Sequence, residues 1–200
     1  MRYVVTAVFV LLPGVVLAQD GPTFDCAKAE HEAETAICEN AELSALDRRL
    51  AETYSAALDA AEGLDAGAEE AVAELKAYQR GWIGGRDDCW QADDIVSCIT
   101  DAYQRREAEL VATWMLEEPI GMATWLCDGG PEVVTMFYDT PLASVRLEVG
   151  DTIDVGTVTR TASGAKYEGS FGRSIWIKGD EAMYHEASPN DADYTCMRVE

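Results

Sequence analysis

The chain changes its hydrophobic period once, near residue 119. Before that point apolar residues return every three or four positions. In the stretch AELSALDRRLAETYSAALDAA, residues 41–61, Leu43, Leu46, Leu50, Tyr54 and Leu58 share one helical face, and Asp47, Arg48, Glu52 and Asp59 are expected elsewhere. Gly63 and Gly67 break the pattern. A second helix is expected through Val72, Leu75, Tyr78, Trp82 and Ile83, with Gly84 and Gly85 weakening its end. A third opens near Asp93 or Asp94, either of which suits an N-cap, and carries Ile95, Cys98, Ile99, Ala102, Tyr103, Leu110 and Trp114. Short connections make neighbouring helices antiparallel. The aromatic residues of these stripes are expected in the core.

The segment LEEPIG ends the helical period at Pro119 and Gly121. Beyond it come six short β-branched or aromatic runs: VVTMFYD, SVRLEVGD, TIDVGTV, SIWIKGD, AMYHEA and YTCMRV. Gly, Asp, Pro or Asn separates them. Strands this short and this closely spaced predict a small antiparallel barrel or sandwich. The fold class is therefore α+β in two domains: helical over 19–118, β over 119–200.

Residues 1–18 precede both domains. Arg2 gives them a positive start, Val4 to Leu17 are almost uninterrupted apolar residues, and Val16 and Ala18 precede a cut ahead of Gln19, the pattern of a secretory signal peptide. No cysteine follows the cut, so a lipid anchor is not expected, and the mature protein is expected in the periplasm without membrane insertion. Export gives the cysteine count its meaning. Cys26, Cys38, Cys89, Cys98, Cys127 and Cys196 form an even set, without C-x-x-C, and read as disulfides. Cys127 and Cys196 bracket the β half and would tie its ends, a bridge that typically contributes ~2–4 kcal/mol. The other four pair most simply as Cys26–Cys38 and Cys89–Cys98, with a crossed arrangement still open. No metal or other cofactor is expected, since His31 and His185 stand alone.

The net charge is −22. Residues 19–118 hold 24 acids and 8 bases, and residues 119–200 hold 13 acids and 6 bases. Such a field repels nucleic acid and anionic membranes, favours a cationic partner, and also serves solubility. Catalytic patterns are missing. Ser163 lies in S-G rather than G-x-S-x-G, no spacing ties it to His185, and no local pattern selects a pair of carboxylates. His31 falls in a polar helical stretch and is expected to face solvent. The chain is not expected to be an enzyme.

What stands out is TASGAKYEGSFGRSIWIKGDEA, residues 161–182. Ser163-Gly164 and Lys178-Gly179-Asp180 read as turns bracketing a strand pair with Tyr167 and Trp176, so that one turn presents a hydroxyl and the other an ammonium. SGAKY followed by WIKGDEA and a late cysteine resembles the periplasmic and membrane-bound inhibitors of c-type lysozyme, over about residues 124–200. The resemblance implies a closed barrel of eight strands with Cys127 and Cys196 paired. It implies c-type lysozyme, a basic protein, as partner, with Ser163 and Lys178 entering its cleft and Gly164, Tyr167, Trp176 and Gly179 shaping the loops. The segment EGSFGRS is about one residue longer than is usual in that family, and Ile177 stands where a small polar residue is common. Whether the two turns can act together therefore depends on how residues 168–174 are accommodated. In the first half, FDCAKAEHEAETAIC, LSALDRRLAETY, AYQRGWIGGRDDC and SCITDAYQRREAEL resemble the LprI-like family, some members of which are lysozyme inhibitors. The alternative is a non-catalytic envelope protein whose acidic helical half recognises peptidoglycan or a protein client.

Overall fold

The computed structural model describes residues 21–199; residues 1–18, expected to be a signal segment, lie outside them. Four helices, α1 (Glu32–Glu39), α2 (Ala41–Glu62), α3 (Ala68–Asp87) and α4 (Ile95–Trp114), precede eight strands. Each helix start has a local cause. His31, exposed at the N-cap of α1, forms a capping box with Glu34. The Asn40 side chain accepts from Glu42 N and Leu43 N at 2.9 and 3.1 Å and starts α2. Asp94, rather than Asp93, accepts from Ser97 N at 3.0 Å and starts α4. Leu43, Leu50, Ala57 and Ala61 of α2 meet Leu75, Ile99, Tyr103 and Leu110 in one core. Cys26–Cys38 and Cys89–Cys98 are bonded and brace its edges.

Three details depart from the periodic reading. Helix α3 runs on through Gly84 and Gly85 to Asp87, because Trp82 and buried Arg86 anchor that turn: the guanidinium lies 5.5 Å from the Trp82 ring centre, and the indole donates to Ala102 O at 3.2 Å. Such tertiary contacts outweigh the ~1 kcal/mol cost of each glycine. Asp47 is buried, not solvent-facing, since it stands four residues after Leu43 and three before Leu50, on the stripe itself. Tyr78 and Ile83 are exposed rather than in the core. Leu75 takes the inner position of that helix, and Tyr78 borders a cleft between α3, α4 and the barrel.

The strands are β1 (Gly121–Cys127), β2 (Glu132–Tyr138), β3 (Ser144–Val149), β4 (Thr152–Thr159), β5 (Ala165–Glu168), β6 (Ser174–Lys178), β7 (Glu181–Glu186) and β8 (Ala192–Val199). They pair in chain order, all antiparallel, and β8 returns to β1 to close a barrel. Cys127 and Cys196 sit opposite each other across that seam and are bonded. Trp125, Val133, Val145, Leu147, Ile175 and Tyr184 fill the interior. The one indole inside is satisfied: Trp125 Nε1 donates to Thr135 Oγ1 at 3.0 Å, which in turn donates to Ala123 O at 3.1 Å.

Helix α4 lies against β2, β3 and β4. Val111 and Ala112 pack on Tyr138, Met136 and Val155. Buried Arg146 of β3 donates to Thr113 O at 2.6 Å and Ala112 O at 3.3 Å, so a cation holds the carbonyl end of α4. Arg105 donates to Thr157 Oγ1 at 2.9 Å from the other side of the seam.

Candidate functional site

The register of β5 on β6, Ala165 opposite Ile177 through Glu168 opposite Ser174, decides what lies beside what. Ser163 and Gly164 immediately precede β5, and Lys178 closes β6. The two turns therefore leave the same end of one strand pair. They also touch. Gly164 has φ +71, and a Cβ there would collide with the carbonyl oxygen of Ile177 and stand 2.8 Å from Lys178 Cγ. Only glycine allows both the backbone conformation and the approach.

Trp176 joins the two turns. Outward-facing residues alternate along β6, so Trp176 and Lys178 share the outer face while Ile175 and Ile177 point to the core. The Trp176 indole donates to Ser163 O at 2.9 Å, and its ring lies 3.5 Å beneath Lys178 Nζ. One side chain thus holds the serine turn by a hydrogen bond and the lysine by a cation–π contact, which contributes ~0.5–1 kcal/mol at an exposed site. Thr161 Oγ1 adds hydrogen bonds to Ser163 O at 3.2 Å and Gly164 O at 3.0 Å. Its Thr-x-Ser-Gly spacing is a local turn signal that the periodic reading passed over. The Gly179-Asp180 pair turns the chain into β7, with Lys178 opposite Glu181 and Gly179 at φ +65, as a tight hairpin with glycine first requires.

What remains free is specific. Ser163 is exposed, and its hydroxyl takes no part in the hydrogen bonds of the described residues; only its carbonyl is engaged. Lys178 is exposed and has no carboxylate within ion-pair distance among them, whereas neighbouring Lys166 is held by Glu168 at 2.7 Å. Tyr167 faces inward opposite Ile175, with its ring 5.7 Å from that of Phe137, and burial pushes its phenol pKa up. It steadies β5 from inside the barrel.

Residues 169–173 connect β5 to β6 at the far end of the strand pair. Ser170–Gly172 form a single helical turn with Phe171 at φ 54. Buried Asp154 of β4 pins that turn, accepting from Ser170 N and Arg173 Nη1, both at 3.0 Å. With that turn in place, the β5–β6 register brings Ser163-Gly164 against Ile177-Lys178.

Ser163 and His185 do not form a hydrolytic pair. His185 lies opposite Ser174, at the other end of β6 from Lys178, and its ring nitrogens face Asp193 Oδ1 at 2.9 Å and Asp191 Oδ1 at 3.3 Å. No group of three or more His, Cys, Asp or Glu among the described residues is arranged to hold a metal ion. No described helix is long and apolar enough to cross a membrane.

Two family models match the chain. "Lysozyme inhibitor LprI" covers residues 26–110, and "Membrane-bound lysozyme-inhibitor of c-type lysozyme" covers residues 125–191. Among curated relatives, proteins named Lipoprotein LprI from Mycobacterium bovis and from two strains of Mycobacterium tuberculosis are each 31% identical over 160 residues. Those matches cover 78% of this chain and 75% of the relative. No solved structure matches. Both halves fall in non-catalytic lysozyme-inhibitor families, and the chain belongs to the LprI family, with a barrel of the membrane-bound c-type lysozyme inhibitor kind as its second half.

Proposed function

We propose that this protein inhibits c-type lysozyme in the periplasm by inserting Ser163 and Lys178 together into the active-site cleft. The observation that carries the reading is the contact between the two turns, with Trp176 bonded to one and lying under the other. The target's chemistry fits. Lysozyme cleaves with one protonated glutamic acid and one ionised aspartate. The Ser163 hydroxyl can hydrogen-bond the first, and the Lys178 ammonium can pair with the second where water is excluded. With both carboxyl groups engaged, the sugar has no access to either. The test is cell-wall lysis by a c-type lysozyme mixed with residues 19–200. Undiminished lysis at micromolar inhibitor rejects the proposal.

Two further results are expected. With −22 on this chain and a basic target, association is steered by charge. The association rate should fall roughly 10- to 1000-fold between low salt and about 1 M salt, with the dissociation rate changing far less. Stopped-flow mixing measures both, and a salt-independent association rate removes the role given to the acidic field. Gly164→Ala should lower stability by about 1–2 kcal/mol from its left-handed backbone alone. It should also raise the inhibition constant, because the new methyl group drives the serine turn away from Ile177 and Lys178. Urea unfolding and an inhibition titration on the same sample separate the two effects. An unchanged inhibition constant shows that the turns need not touch.

A further inference from the structure

Beside Lys178, on the outside of the barrel, lies a pocket of about 160 Å³ walled by Trp176 and Lys178 of β6, Glu181 and Met183 of β7, and Thr195 of β8. Strand register puts it there. Lys178 stands opposite Glu181, Trp176 opposite Met183, and Met183 opposite Thr195. Directly opposed residues project from the same face of a sheet, so these side chains share the outer face. Helix α4 lies on β2, β3 and β4 instead. Met183 is half-exposed, and so is Met197, the residue opposite Glu181 on β8.

The charge of this pocket is not balanced within the chain. Glu181 is exposed, and its carboxylate enters no ion pair or hydrogen bond among the described residues. Lys178, though directly opposite, lies on the Trp176 ring rather than on that carboxylate. Lys166, which stands opposite Trp176 on the other side, is held by Glu168 at 2.7 Å. The inference drawn from this rests on the insertion of Lys178 proposed above. An ammonium paired with a lysozyme aspartate no longer balances Glu181. The lysozyme surface around its cleft then covers the adjoining pocket, and a carboxylate shut off from water without a cation is strongly disfavoured. The partner supplies the cation, and a basic protein has one to offer.

The walls select its type. Trp176 offers an aromatic surface, Met183 a polarisable apolar one, and the Thr195 hydroxyl a second acceptor beside the Glu181 carboxylate. A guanidinium stacks on aromatic surface, is weakly hydrated and forks its donors between two acceptors, whereas an ammonium is a compact, strongly hydrated point charge. A second copy of this chain is an unsuitable occupant, because two chains at −22 repel each other. We infer that the pocket receives an arginine side chain of c-type lysozyme from beside its cleft, with Glu181 as the carboxylate partner and Met183 against the aliphatic stem.

The test measures association and dissociation rates of residues 19–200 with a c-type lysozyme, for the parent and for Glu181→Gln, Met183→Ala and Glu132→Gln. All three positions are exposed, so the variants fold. Glu181→Gln should raise the dissociation rate about 10- to 100-fold and leave the association rate nearly unchanged, the signature of a desolvated pair rather than of a rim charge. Met183→Ala should raise the dissociation rate several-fold. Glu132→Gln removes the same charge from β2 and should alter neither rate by more than about twofold. The effect of Glu181→Gln should persist on lysozyme whose lysines are acetylated, since its arginines keep their charge. An unchanged dissociation rate in Glu181→Gln, an effect confined to association, an equal effect of Glu132→Gln, or an effect lost on the acetylated lysozyme each overturns the inference. In all four cases inhibition by the parent and its loss in Lys178→Ala can still stand, and with them the Ser163–Lys178 proposal. A parent chain that does not bind lysozyme overturns both.

Discussion

Lys178→Ala is expected to weaken inhibition of c-type lysozyme by about 2–5 kcal/mol, or roughly 30- to several-thousand-fold in the inhibition constant. The size follows from where the ammonium goes. In the free protein Lys178 is exposed, rests on the Trp176 ring and holds no carboxylate. Little stability depends on it, and the variant's unfolding free energy should stay within about 0.5 kcal/mol of the parent. In the complex the same charge would sit in a narrow groove against an ionised aspartate. Truncation then leaves that aspartate buried without its partner, and most of the loss is this penalty. Lys178→Arg should recover only part of the affinity, because a planar guanidinium replaces a compact point charge. Ser163→Ala removes one uncharged hydrogen bond and should cost about 1 kcal/mol. An inhibition constant unaffected by Lys178→Ala rejects Lys178 as an inserted group, whatever the whole protein does to lysozyme.

The pairing of Ser163 with Lys178 was legible because the motif residues lie close in sequence and a strand pair preserves their order. The contact between their two turns was less so. That Gly164 must lie against Ile177 follows from the β5–β6 register, and nothing in 168–174 states that the segment folds into a turn pinned by Asp154, sixteen residues before Ser170. Strand β1 escaped the periodic reading for a physical reason. Met122 and Leu126 face outward and are half-exposed, so apolar residues occupy both faces and the alternation disappears. Strand β5 has only four residues, too few to show a period. Nothing in the sequence pattern marks Arg146 and Arg105, because their acceptors, the end of α4 and Thr157, belong to the other domain. Polar residues can join domains without leaving any trace in a hydrophobic pattern. The same applies to Tyr78, whose place on the apolar stripe of α3 suggested core, although the barrel beside α4 makes it the rim of a cleft.

Asp47→Ala is expected to destabilise the helical domain by about 2–5 kcal/mol, since each buried donor that loses its acceptor costs about 1–3 kcal/mol. Asp47 Oδ2 accepts from Thr23 N and Thr23 Oγ1 at 2.7 and 2.6 Å, and Oδ1 accepts from Tyr103 O–H at 2.8 Å. Tyr103 in turn accepts from Arg86 Nη1 at 3.2 Å. Burial raises the Tyr103 pKa well above the usual phenol range, so the hydroxyl keeps its proton and needs an acceptor at any pH at which the protein folds. Alanine takes that acceptor away, frees the segment around Thr23 from α2, and leaves the buried Tyr103 hydroxyl proton without an acceptor. The Cys26–Cys38 and Cys89–Cys98 bridges, each closing a short loop and contributing about 3 kcal/mol, keep such a domain folded in water. The loss should appear as an earlier urea transition in the helical circular dichroism signal. Fold and function then separate in one variant. The barrel core, its Cys127–Cys196 closure and the Ser163–Lys178 turns share no residue with this network. If the barrel alone inhibits, Asp47→Ala retains the parent inhibition constant in the absence of urea and, in urea, beyond the helical transition. Inhibition that disappears together with the helical signal instead makes the helical domain part of the lysozyme contact, and the two prongs insufficient without it.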